Sequence, residues 1–521
     1  MINQNQTSRS GPLVTVLIPT YNRPHILPCA LESVVRQRYE NLEIFVMNDG
    51  GQDVGEIIES FNDPRIIYIN GENNRGKPYR LNEALRKAQG KYVCYIDDDD
   101  LFYPHHVSTL VDVLENKTDC RVAYSDLYKV YCRVGYDGSR TVLSKIVEIS
   151  RDFDRFFMFY FNHALHVSVM HRRDLLAKTG LYNEKLNVMI DWDMTKRMVF
   201  FSDFYHVHEI TGEFYAPIGE SDRISVQKRK DKNEYARNVM AIRTTRPPKP
   251  WPKVQDVSVI FTADKFDQQA GNTLGLIWRH TFYPYEVYLP MPQQEFARLN
   301  TEMPNLVNVP VPSGLPVDKQ VDASLPVCQG EYITIVPRGF TIFDMWMEDP
   351  LYALMNSDKA AMEVETSNEQ LWSGVIRRDV LINARKQFGH LSVRESLVRC
   401  GINFDRLKPD DITFQFDELY NEAQDNEKNG NWITAAKMYE YIAEKHKNEL
   451  WMKALAARTF YKAGQMQRAL EYSRFVNEYK PTVDTLLTEA KIHRKQGQYS
   501  PAIKLLSRAE DILEGKQLIW T

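Results

Sequence analysis

The chain has no stretch of about 18 apolar residues, so its sequence offers no membrane-spanning helix. Residues 1–12 are polar, lack the apolar centre of a signal peptide and read as a disordered N-terminus. Cysteine is scarce: six in 521 residues, with no CxxC spacing and no histidine at a zinc-ligand interval. Cys29, Cys94, Cys120, Cys132, Cys328 and Cys400 therefore read as small residues of a reducing compartment. An excess of one charge is also missing. With 65 Lys and Arg against 69 Asp and Glu, the formal charge is −4, so nucleic acid is not an expected partner. The basic run at 228–232 reads as solvated loop. A composition 43% hydrophobic and 26% charged excludes collagen and wholesale disorder. These features point to a cytoplasmic protein of three or four domains, at roughly 150 residues each.

What is present begins with an α/β pattern. Residues 14–126 alternate short β-branched runs (14–19, 42–49, 65–70, 91–97 and 120–126) with helical periodicity. Repeated β–α–β units with continuous apolar strands predict a mostly parallel, Rossmann-like sheet covered on both faces. Ligands on such sheets bind beyond the carboxyl ends of the strands. The polar residues there are Pro19-Thr20-Tyr21-Asn22-Arg23, Asn48-Asp49 and Asp97–Asp100. Residues 127–245 are less regular. Their aromatic run Phe156 to Phe161 reads as core, and Asp191-Trp192-Asp193 opens a helix. Four prolines between 246 and 253 mark a stiff linker.

Residues 254–405 echo the first domain. At a constant offset of 243, Val14 meets Val257, Leu31 meets Leu274, Arg36 meets Arg279 and Glu43 meets Glu286. Gly90-Lys-Tyr-Val likewise resembles Gly330-Glu-Tyr-Ile. This predicts a second α/β domain of the same fold. Residues 415–515 repeat with a shorter period. Gly430, Gly464 and Gly497 are 34 and 33 residues apart, and Ala435, Ala469 and Ala502 follow each glycine by five. The pattern resembles tetratricopeptide repeats, an all-α module of stacked helix pairs that implies a protein partner or a homo-oligomer.

The strongest chemical signal is Asp97-Asp98-Asp99-Asp100 at the end of a buried strand. Four carboxylates there repel one another unless a cation compensates. Hard oxygen donors suit Mn²⁺ or Mg²⁺, and such an ion neutralises a diphosphate leaving group.

With these residues in view, residues 13–230 resemble an inverting family 2 glycosyltransferase of the GT-A fold. The resemblance rests on Val14 to Arg23, Leu31 to Ile44, Val46 to Gly51, Asn74-Arg75-Gly76 through Asn82 and Gly90, the acidic motif, His166 to Asp174, and Asp191 to Arg197. It implies a nucleotide-sugar donor and a role for each matching position. Pro19, Thr20, Tyr21 and Arg23 line the nucleotide pocket. Asp49 accepts from the base, favouring a uracil or thymine edge. Asp98 sits near the ribose or sugar, Asp99 binds the metal, and Asp97 assists. Asp191 is the general base, and His166 is a further site residue. The family often places an Arg directly before the Asn at 82, where this chain has Leu81. Arg80 or Lys77 is the substitute at the phosphates. The polar stretch 219–232, with Arg223 and Lys228, reads as a loop over the donor. Asp193, Trp192, His163 and His171 read as structural.

The second copy lacks this chemistry. Pro337, Arg338 and Gly339 align with Asp97, Asp98 and Asp99, Pro292 with Asp49, and Val393 with Asp191. It is expected to be folded and inactive. The sequence thus predicts a metal-dependent inverting transfer to an acceptor hydroxyl or other nucleophile, on a glycan, protein or peptide. Two rivals differ in class. A sugar nucleotidyltransferase needs a glycine-rich phosphate loop, where Pro19 to Pro24 stands instead. A non-enzymatic scaffold is at odds with the intact set Asp49, Asp99 and Asp191.

Overall fold

The protein was analysed as a computed structural model. It describes residues 11–135, 139–147, 149–218, 232–299, 303, 305–340, 342, 345–364, 374–407, 416–445 and 450–515. The expected disordered N-terminus lies almost wholly outside these residues, as do 219–231 of the expected donor loop. Among the described residues no helix is long and apolar enough to cross a membrane.

The chain divides into two compact units. One holds residues 1–238, the proline-rich 247–252 and the helices 416–521; the other holds 239–246 and 253–415. The helical C-terminal part therefore belongs with the first α/β domain, a grouping the linear order of expected domains did not suggest.

The first unit is built on strands β1 (Val14–Thr20), β2 (Leu42–Asn48), β3 (Ile66–Asn70), β4 (Tyr92–Tyr95), β5 (Leu101–Phe102), β6 (Cys120–Val134), β7 (Arg140–Ile146), β8 (Val169–Arg172) and β9 (Asp203–Pro217). Their order is β3-β2-β1-β4-β8-β6-β9-β5, with β7 on β6. β3, β2, β1 and β4 are parallel, as the apolar runs predict. Beyond β4 the sheet is mixed: β8 runs antiparallel to β4 and β6, while β9 runs parallel to β6. Val14, Val16, Leu17 and Ile18 are fully buried, because a central parallel strand has no solvent face. β6 is far longer than the strand expected at 120–126. Its second half buries Tyr128, Val130 and Cys132 and leaves Lys129, Tyr131 and Arg133 less covered, the alternation of a strand with one open face.

In the second unit, β10 (Val257–Thr262), β11 (Tyr285–Met291), β12 (Leu306–Pro310), β13 (Tyr332–Pro337), β14 (Ala361–Val364), β15 (Gly374–Arg377) and β16 (Asp405–Leu407) order as β12-β11-β10-β13-β15-β14-β16. The register repeats that of the first unit. Val14 pairs with Leu42 and Tyr92; Val257 pairs with Tyr285 and Tyr332. Gly90 N–H donates to Thr15 Oγ1 at 3.2 Å, and Gly330 N–H to Ser258 Oγ at 2.9 Å. Both glycines sit where a Cβ would come within 2.6 Å of a strand backbone nitrogen, so a side chain has no room.

The C-terminal helices Phe416–Lys428, Trp432–Lys445, Leu450–Lys462, Met466–Tyr479, Val483–Lys495 and Tyr499–Leu513 form three consecutive pairs. Gly430, Gly464 and Gly497 occupy the turn inside each pair with φ of 77°, 78° and 74°. That left-handed conformation is the reason the spacing of glycines is regular. Ala435, Ala469 and Ala502 are buried on the second helix of each pair, where a small residue lets the helices approach.

Asp349, in the second unit, is buried, and neither of its carboxylate oxygens has a hydrogen-bond partner among the described residues. Burial, with Glu348 beside it, pushes its carboxyl up to about 8. Such a group stays protonated in the fold and ionises near 4 in the unfolded chain. Its contribution therefore falls as pH rises from about 4 towards 8. Asp349→Asn should raise the melting temperature more at pH 8 than at pH 5, which thermal melts at the two pH values would check.

Candidate functional site

The carboxyl ends of β1, β2 and β4 bring together most of the residues singled out above. Each strand exits into a loop whose backbone is forced outward. After β1, Asn22 takes a left-handed φ of 55° and its Oδ1 accepts from Gln52 N–H at 2.8 Å. After β4 come Asp97 to Asp100, of which Asp98, Asp99 and Asp100 are buried.

Cations meet these carboxylates one by one. Arg23 Nη1 donates to Asp98 Oδ1 at 2.9 Å and to Asp99 Oδ2 at 3.3 Å. Thr20 Oγ1 donates to Asp98 Oδ2 at 2.7 Å. Burial nevertheless pushes the Asp98 carboxyl up to about 6, against the opposing pull of Arg23. Lys77 Nζ donates to Asp97 Oδ1 at 2.5 Å. Burial disfavours the Lys77 charge, but Asp97, Asp191 and Asp99 outweigh it and hold the ammonium above its ordinary value. Oxygens of Asp97, Asp99 and Asp100 lie within 4.8 Å of one another. Three hard donors this close fit a divalent cation. The trio contains Asp99, the ligand expected from the sequence, with Asp97; Asp100 is the member that motif reading did not single out.

Asp49 is committed to the chain itself. Its Oδ1 accepts from Arg75 N–H and from Arg80 Nε, both at 2.9 Å, and its Oδ2 from Gly76 N–H at 2.7 Å. Three of roughly four acceptor positions are thus taken. The carboxylate anchors the loop ahead of the helix Lys77–Lys87, whose N-cap Gly76 has φ of 91°. Arg80, expected at the phosphates, is buried and bonded to Asp49, to Glu83 at 2.8 Å and to the Asn73 carbonyl at 2.7 Å. Three of its five N–H donors are thus engaged within the chain. Lys77, one turn earlier, faces the acidic cluster. Pro19 lies on β1 beside these groups, and Tyr21 is 45% exposed, open to a ligand.

The helix Ile190–Val199 carries Asp191 in its first turn. Met189 ahead of it is left-handed, φ 55°, a strained turn for a side chain of its size. Asn162 Nδ2 donates to Asp191 Oδ2 at 3.1 Å. Burial pushes the Asp191 carboxyl above its ordinary value, and the nearby Lys77 ammonium partly offsets this. Asp193 points away and pairs with Arg197 at 2.7 Å, while Trp192 Nε1 donates to the Met158 carbonyl at 3.0 Å. His166 bonds to Tyr182 Oη at 2.8 Å and stacks on Tyr95 at 4.2 Å. Burial, with Lys77 adding repulsion, lowers its imidazole to about 3, so it is neutral in the cleft. His163 and His171 are buried away from the acidic loop and lowered to about 3 and 4 by burial.

Asn162, Tyr182 and Arg75 were missed in the sequence. Asn162 is a single residue on a loop, and only folding brings it under Asp191. Arg75 lies inside a motif that was recognised, but its stacking on Tyr79 at 3.5 Å is a tertiary fact.

In the second unit the corresponding corner has its charges exchanged. Arg338 occupies the position aligned with Asp98 and donates through Nε to Asp267 Oδ1 at 2.9 Å. Gly339 follows with φ of 78°. The three residues aligned with Asp97, Asp98 and Asp99 carry no carboxylate.

Residues 15–171 match the family model Glycosyl transferase family 2. A glycosyltransferase of Rickettsia typhi, itself uncharacterized, is 29% identical over 206 residues, covering 38% of this chain and 63% of that protein. One from Methanocaldococcus jannaschii is 29% identical over 195 residues, 36% of this chain and 65% of its own. The chain thus spans less than two thirds of either relative. Among solved structures, S. aureus TarS 1-349 in complex with UDP overlaps 44% of this chain and 65% of its own, at 19% identity and a TM-score of 0.35. The mannosyltransferase PcManGT of Pyrobaculum calidifontis, in complex with GDP-Man and Mn²⁺, overlaps 46% and 66% at 17% identity and a TM-score of 0.33. Superpositions this loose assign no residue.

Arg80→Ala should free Asp49 and loosen the 73–76 loop. Charge-assisted bonds of this kind contribute about 1.5–3 kcal/mol, so amide exchange in 73–76 should speed up roughly tenfold or more. Hydrogen exchange of the variant would measure it; unchanged exchange would show that Arg80 does not hold the loop.

Proposed function

We propose that the chain is a metal-dependent, inverting glycosyltransferase that moves a sugar from a nucleoside diphosphate, UDP or dTDP by preference, to an acceptor nucleophile. The observation that carries this reading is the meeting of Asp97, Asp99 and Asp100 with Lys77 and Asp191 in one cleft of a glycosyl transferase family 2 domain. Inverting transfer is an in-line displacement at the anomeric carbon. The diphosphate leaves on one side and the acceptor attacks from the other. Charge grows on the leaving oxygen and must be met by cations already in place.

Asp97, Asp99 and Asp100 would hold the divalent ion, Mn²⁺ or Mg²⁺, which supplies Lewis-acid neutralisation of the diphosphate. Lys77 brings a second positive charge to the same end of the cleft. Asp191 takes the acceptor proton, and its raised affinity for protons suits that work near neutral pH. Asn162 fixes one oxygen of Asp191. The remaining acceptor position on Asp49 is the one a uracil or thymine ring N–H would use, with Tyr21 beside the base. His166 and Pro19 line the cleft as neutral groups. Asp98 with Arg23 and Thr20 forms the floor under the ribose or sugar.

The second unit is read as an inactive copy, since Arg338 stands where a carboxylate would be needed. The C-terminal helices are read as tetratricopeptide-type repeats, and the acceptor as a glycan, protein or peptide. The location is read as cytoplasmic from the scarce, unpatterned cysteines of the sequence.

Titration of the full chain with UDP, dTDP and GDP in Mn²⁺, then in EDTA, should give one metal-dependent site for UDP or dTDP. Absence of binding to any of them by the folded chain would overturn the reading. Asp99→Ala should abolish that binding. Asp191→Asn should keep it and lower transfer by roughly 10²–10⁴-fold, the usual weight of a general base. In the parent chain kcat should fall as pH drops through a value above the ordinary carboxylate range of about 4, because Asp191 must be ionised to act. A pH–rate profile would locate that limb.

A further inference from the structure

β7 is an outlying strand. It pairs with β6 alone and lies off the main path of the sheet. A two-stranded extension is marginal unless another element covers it. Here the last two helices, Val483–Lys495 and Tyr499–Leu513, both pack on β7. Tyr128, Cys132 and Tyr215 share a buried cluster with Val483, Leu486 and Ile512. The junction is polar as well as apolar. The Lys480 ammonium donates to the buried Asp126 carboxylate and to Ser150. Tyr128 Oη donates to the Pro481 carbonyl at 3.2 Å.

The first residue of β7 is Arg140. Its Nη1 donates to the main-chain carbonyl of Asp99 at 2.7 Å, and its guanidinium lies 4.5 Å over the Tyr215 ring. Tyr215 in turn donates its N–H to Asp100 Oδ1 at 3.0 Å. Two consecutive residues of the acidic loop are thus held by Arg140 and Tyr215. The strand of the first and the ring of the second rest on the helices.

We infer that Arg140 is a positioning residue for the acidic loop and that the C-terminal helices brace it through β7, so that docking of the helices sets the geometry of the donor site. This rests on the reading of Asp97–Asp100 as that site. The helices are then a structural part of the transferase unit, whatever else their open faces bind. Arg140 acts through the loop.

Hydrogen exchange of the full chain tests the brace without any ligand. Leu486→Asp, which places a charge in the buried cluster, should speed exchange in 483–513 and also, by about tenfold or more, in peptides spanning 97–102. Arg140→Gln should speed exchange in 97–102 while leaving 483–513 unchanged, and should weaken binding of UDP with Mn²⁺ by about tenfold; Arg140→Lys should recover part of both. Unchanged exchange in 97–102 for Arg140→Gln, or for Leu486→Asp with loosened helices, would overturn the brace. Should Leu486→Asp fail to fold, Arg140→Gln decides alone. If the parent chain binds no UDP yet the exchange results appear, the reading of the site falls and the brace stands.

Discussion

The structure of the first unit turns on the repulsion among carboxylates at the end of β4. Asp98, Asp99 and Asp100 are buried, and Asp97 stands beside them. In a medium of low dielectric each such charge needs a partner or must give up its ionisation. The fold supplies partners from several directions: Arg23 from the loop after β1, Lys77 from the helix Lys77–Lys87, and the Tyr215 N–H from β9. Arg140 adds a cation at the Asp99 carbonyl. The elements that crowd the cleft are therefore the elements that keep it from flying apart.

The same constraint explains the division of labour among the basic residues. An arginine buried among carboxylates is spent on geometry, as Arg80 is at Asp49. A lysine at the edge of the cluster, bonded to one carboxylate among the described residues, has three rotatable donors and a compact charge. Lys77 is such a residue. Asp191 lies at the positive end of its helix, which favours its charge, and in a buried pocket, which opposes it. Burial prevails, and the result is a carboxylate suited to accepting a proton.

The second unit shows what happens when the constraint is removed. The strand order and register of the first four strands are repeated, and the close contacts of Gly90 and Gly330 match. Yet the corner that gathers four carboxylates in the first unit holds one arginine against Asp267 in the second. A sheet of this kind needs its apolar strands; it does not need the acidic loop.

The sequence by itself determined the strands β1, β2 and β4, because a buried parallel strand must be apolar along nearly its whole length. It also determined the glycine turns between the C-terminal helices, because only glycine takes a left-handed turn at no cost. The acidic motif was legible because four carboxylates at the end of an apolar strand demand an explanation, whereas Asp191 was reached only through the resemblance of residues 191–197 to a known family. β7 and the second half of β6 carried an alternating pattern, but the tyrosines and lysines within it disguised a strand with one open face. Only the tertiary structure decided that Arg80 holds Asp49, that Asn162 holds Asp191, that Arg140 meets the acidic loop and that the last helices pack on β7. Those contacts join residues up to several hundred positions apart. No local pattern records such pairings, since each depends on how whole elements pack and not on the propensity of any one of them.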